Sequence, residues 1–129
     1  MLQASNLAVG QVTATPGGPC DAPIDLAHLA RMTLGDASLE REVLQLFHRQ
    51  TDMLMARMTG AEAGLVAASA HTIKGSARGI GAWRIARDAE AVELAAAAID
   101  AAGLEIALAG LEVSIGEARR AIAELLRAH

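Results

Sequence analysis

At 129 residues with a formal net charge of −4, the chain has the length of one domain and can bury a core. Its acidic balance argues against a nucleic-acid partner, because phosphate binding calls for a cationic surface. Alanine supplies 30 residues and the aromatics only two, Phe47 and Trp83; such an excess of strong helix formers predicts an all-helical protein.

Residues 1–23 mix Gly, Pro, Thr, Ser and Gln with scattered aliphatics, and Pro16-Gly17-Gly18-Pro19 interrupts any regular element. A flexible tail is expected there, with a helical domain over 24–129. The lone cysteine, Cys20, falls in this tail and has no internal disulfide partner. The N-terminus lacks the basic and apolar regions of a signal peptide, and no apolar run is long enough for a membrane span. A cytoplasmic protein is expected.

Asp25 can cap a short helix over about 26–34 that stops at Gly35. Asp36 or Ser38 caps a second, over about 38–58, with the apolar stripe Leu39, Val43, Leu46, Phe47, Leu54 and Met58. Thr59-Gly60-Ala61-Glu62 reads as a capping box, which places the next helix start near Gly60 and its end near Gly79 or Gly81. A helix over about 82–99 and a turn at Asp100-Ala101-Ala102-Gly103 lead to a last helix over about 104–127. Four long amphipathic helices joined by short turns predict an antiparallel, up-down four-helix bundle with the short first helix as a cover. Gly110 and Gly116 interrupt the last helix; close helix packing could explain them, although the sequence does not show it.

The third helix carries the informative stretch. His71 is followed by Lys74, the only lysine, and by Gly75 and Arg78. At about 100° per residue, Lys74 and Gly75 flank His71 at about 60° and 40°, and Arg78 falls nearly in line with it. The opposite face, Val66, Ser69, Ile73, Ser76 or Ala77, and Ile80, is apolar or small, so the histidine is expected to face water beside two cations. A neutral imidazole attacks phosphorus without a separate base. Cations one and two turns away can balance the incoming phosphoryl charge. A glycine beside the ring lets another protein approach.

His71-Thr72-Ile73-Lys74-Gly75-Ser76-Ala77-Arg78-Gly79-Ile80-Gly81-Ala82 resembles the signature of histidine-containing phosphotransfer (HPt) domains, H-x-x-K-G-[SA]-[SA]-x-x-[ILV]-G-[AL], with every fixed position filled. The resemblance extends more loosely over about 24–127. It implies that His71 accepts a phosphoryl group from an aspartyl phosphate on a receiver domain and passes it to another receiver. Lys74 would be the charge partner, supported by Arg78, and Gly75 the clearance for docking. The expected partners are response-regulator receivers, a hybrid histidine kinase, or both. Some members place a glutamine on the following helix, hydrogen-bonded to the imidazole; by count that position is Glu93. A carboxylate there would orient the ring and repel the phosphoryl group.

Other classes fit less well. His28, His48 and His129 have no metal-like spacing, so neither metal nor cofactor is expected. There is no Gly-rich phosphate loop and no room for a nucleotide-binding domain, so the chain is expected to be a carrier rather than an autonomous kinase. The competing expectation is a helical interaction module that docks receiver or kinase domains without carrying phosphate. Trp83 is expected to pack at a helix start.

Overall fold

The structure, a computed structural model, describes residues 22–128. Most of the expected tail over 1–23, with Cys20, lies outside the described residues, as does His129. Among the described residues five helices occur: α1 (Leu26–Met32), α2 (Ala37–Met58), α3 (Ala63–Ile80), α4 (Trp83–Ala97) and α5 (Ala101–Ala128). The described residues contain no strand. Each of the four long helices packs on two others, α2 on α3, α3 on α4, α4 on α5 and α5 back on α2, while α1 packs on α3. The result is a helical bundle, and no helix among the described residues is long and apolar enough to cross a membrane.

The helix ends show which side chains satisfy the orphan backbone groups. Asp25 accepts the His28 N–H at 3.1 Å and starts α1. Leu34 and Gly35, both at positive φ, end the segment between α1 and α2. Asp36 rather than Ser38 caps α2, accepting the Ser38 and Leu39 N–H groups at 2.9 and 3.1 Å.

Two expected boundaries are corrected. The Thr59–Glu62 stretch is not a capping box: the Thr59 hydroxyl donates back to the Met55 carbonyl at 3.4 Å and so closes α2. Gly60 turns the chain at φ +68°, and Glu62 caps α3 by accepting the Gly64 N–H at 2.6 Å. Residues 101–103 form the first turn of α5 rather than a connection, because Asp100 caps them, accepting the Gly103 N–H at 2.9 Å through its side chain. Its carbonyl accepts the Leu104 N–H at 2.8 Å. The turn itself falls one step earlier, where Ile99 takes φ +54°.

Leu44, Ile73, Ile85 and Leu111 are fully buried and bring α2, α3, α4 and α5 into one core. The buried stripe of α2 is Leu44, Phe47, Thr51, Leu54 and Met58. Leu39 and Leu46, expected inside, are exposed. The helix is rotated from the expected setting because Leu44 and Leu46 are equally apolar, and only the neighbouring helices choose between them. Thr51 sits in this core with its hydroxyl donating to the His48 carbonyl at 3.0 Å, so its burial leaves no unpaired polar group. Gly110 and Gly116 do not mark close packing within the chain: a Cβ at either would meet nothing within 4 Å.

Candidate functional site

The buried face of α3 is Val66, Ser69, Ala70, Ile73, Ala77 and Ile80. That face sets the rotation of the helix and turns His71 outward, with 67% of its side chain exposed. Gly75 lies one turn on, where an added Cβ would meet nothing within 4 Å. Backbone and imidazole are thus both open to an approaching surface.

Glu93, on α4, faces this pair. Its Oε2 lies 2.9 Å from Nδ1 of His71 and its Oε1 lies 2.8 Å from Nζ of Lys74. Lys74 is only 13% exposed. The ammonium closes onto α4, and only the imidazole stays in water. The Lys74 contact holds the Glu93 carboxyl below its usual range; partial burial opposes this, and the His71 hydrogen bond adds to it. An ionised carboxylate can only accept, so Nδ1 of His71 is the donor, and in the neutral ring Nε2 keeps its lone pair. Arg78, two turns from His71, lies 3.9 Å from Glu90 with both side chains about half exposed. Glu90 carried no signal in the sequence, since it belongs to no motif and meets Arg78 only through the packing of α4 on α3. Beside the motif helix, Val43, Leu46, Phe47, Gln50, Ser76 and Ile80 line an apolar groove between α2 and α3.

A family model described as "Hpt domain" matches residues 42–128, more than half of the chain. The chain belongs to the Hpt domain family. Hpt domains act in histidine phosphotransfer within phosphorelays, where they interact with receiver domains and kinases. No curated protein and no solved structure matches the chain.

The last residues of the signature are structural in this Hpt domain. Gly81 ends α3 at φ +84°, a conformation that favours glycine. A Cβ there would also stand 3.0 Å from Cβ and the carbonyl oxygen of Asp25. That close approach lets the Asp25 N–H donate to the Gly81 carbonyl at 2.9 Å. Trp83 does more than pack at a helix start: its indole N–H donates to Asp25 Oδ2 at 2.9 Å, and its ring meets His28 edge-on at 4.9 Å between centroids. The indole hydrogen bond, then that from the His28 N–H, holds the Asp25 carboxyl below its usual range against a smaller opposing effect of burial. Asp25, His28 and Trp83, with Ile24 and Leu29 buried in the core, join α1 to the rest of the bundle.

Proposed function

We propose that His71 is the phosphoryl acceptor of a multistep two-component phosphorelay, receiving the group from a receiver aspartyl phosphate and passing it to a second receiver. One observation carries the reading: an exposed imidazole whose Nδ1 is held by Glu93 at 2.9 Å, leaving Nε2 free. In the forward step the Nε2 lone pair forms the N–P bond. The P–O bond to the donor aspartate breaks, and its electron pair leaves on the carboxylate. The positive charge then shared by the ring is balanced through Nδ1–H by Glu93. Lys74 and Arg78 supply charge support, Gly75 the clearance, and the groove beside Ser76 and Ile80 an apolar surface for a receiver. In this reading α2–α5 form an antiparallel, up-down four-helix bundle, and the protein is a cytoplasmic carrier that draws its phosphoryl group from partners rather than from a kinase centre of its own.

Glu93 also favours a second reading, a docking module that binds receivers or kinases without phosphate, because its carboxylate sits beside the site a dianionic group would occupy. Incubation with phosphorylated receivers separates the two. Acid-labile label on the wild type, absent from His71→Gln with an unchanged helical spectrum, is the expected result. Receiver binding without label on the wild type assigns the docking module instead.

A further inference from the structure

The outer face of α5 carries a charge pattern that reads the same in reverse with its signs inverted. Glu112 and Arg120 lie four residues either side of Gly116, and Glu105 and Arg127 lie eleven either side. Between them Ala109 and Ala123 lie seven either side. On a helix, steps of four, seven and eleven residues all return within about 40° of the starting direction. The seven positions therefore form one stripe about 33 Å long at 1.5 Å per residue. Gly116 is partly covered and the other six are exposed.

Neighbouring positions of α5 are committed inside the chain and bracket this stripe. Arg119 pairs with Asp52 on α2, and Glu117 pairs with Arg84 on α4 at 2.6 Å. Within the stripe, among the described residues Arg127 meets Glu124 of its own helix, at 3.0 Å and with both side chains largely exposed. The centre has no use in the single chain: a mid-helix glycine costs about 1 kcal/mol relative to alanine, and a Cβ at Gly116 would meet nothing within 4 Å. Ile106 and Val113, bordering the stripe, are 75% and 60% exposed.

We propose that two copies of this chain associate through this face, their α5 helices antiparallel about a two-fold axis at Gly116. Antiparallel register sets Glu112 against the partner's Arg120 and Glu105 against the partner's Arg127, each pair formed twice. Parallel register would set like charge on like charge, so the pattern selects one direction. Ala109 meets the partner's Ala123, and the two copies of Gly116 let the backbones approach closely. A contact of one helix per chain is small for a permanent dimer, so association is reversible and weakens with salt. Because α5 packs on α2 and α4, the dimer leaves the exposed face of α3 open.

Sedimentation velocity on the full chain, over a concentration series to the millimolar range at low and high salt, tests this. The wild type should shift from one-chain to two-chain mass with concentration, and high salt should move the midpoint at least tenfold. Glu112→Arg and Arg120→Glu should each weaken self-association at least tenfold. The two variants mixed should associate as the wild type does, since the heterodimer restores both opposite-charge pairs, one of them with its signs exchanged. Gly116→Gln, at a position with room for a side chain in the single chain, should keep the helical spectrum and block the dimer. A wild type that stays monomeric at millimolar concentration overturns the proposal. So do single variants that dimerise normally, or a mixture that does not associate.

Discussion

Oε1 of Glu93 lies 2.8 Å from Nζ of Lys74, so the one lysine of the chain is directed at a carboxylate on the neighbouring helix. The same carboxylate holds Nδ1 of His71 through its other oxygen. Lys74 thus acts on the imidazole through Glu93. Under the proposed role, an incoming phosphoryl group would compete with Glu93 for the ammonium.

Lys74→Ala removes a well-covered ion pair and leaves Glu93 partly buried without its main partner. Hydrogen bonds to charged groups contribute about 1.5–3 kcal/mol, less where water reaches them. The variant should remain folded, lose about 1–2 kcal/mol in denaturant titration, and show slower transfer or a shorter phosphohistidine lifetime. Unchanged rates and lifetime would reduce Lys74 to a structural link between α3 and α4.

Glu93 also makes stability depend on pH in a defined direction. Its carboxyl binds a proton more weakly in the folded chain, chiefly because of Lys74, than at the ordinary value of about 4.3. Its contribution is therefore complete above about pH 4.3 and is lost as pH falls through the lower folded value. Glu93→Gln should be less stable than the wild type near neutrality and should approach it on acidification below about pH 4. Thermal melts across that range check this; a gap that stays constant contradicts it.

Gly75 separates stability from docking. An added Cβ meets open space, so replacing this mid-helix glycine removes a cost of about 0.8–1 kcal/mol. Gly75→Gln should melt several degrees higher. The same side chain projects one turn from His71, and a misplacement of about 1 Å between reacting groups can cost about 100-fold in rate. Labelling by a small donor such as phosphoramidate should survive while transfer from a phosphorylated receiver falls sharply. Normal receiver transfer removes Gly75 from the docking surface.

Asp25→Ala tests the attachment of α1. It deletes a helix cap and the acceptor of the Trp83 indole N–H together. The expected loss is about 1–3 kcal/mol, from the cap and the orphaned donor. Trp83 is the only tryptophan, so its fluorescence reports the change directly. An unaltered emission spectrum would mean that the indole finds another partner.

The grouping of His71, Lys74, Gly75 and Arg78 on one helix was legible in the sequence because it is local: 3.6 residues per turn fix those directions once the buried face is apolar. The stop was legible only as Gly79 or Gly81, and the structure places it at Gly81, at φ +84°. Glu93 could be placed by counting across a short turn. Tertiary structure alone decided what these groups touch. That Lys74 closes onto Glu93 and Arg78 approaches Glu90 depends on how α4 is rotated and shifted against α3, which core packing sets. Packing likewise chose Leu44 over Leu46 for the inside of α2, since both are equally apolar. It also gave Asp25 two partners, His28 nearby in the chain and Trp83 on α4, where the sequence showed only a cap. Contacts between helices are set by shapes brought together from distant parts of the chain, and helical periodicity carries no record of them.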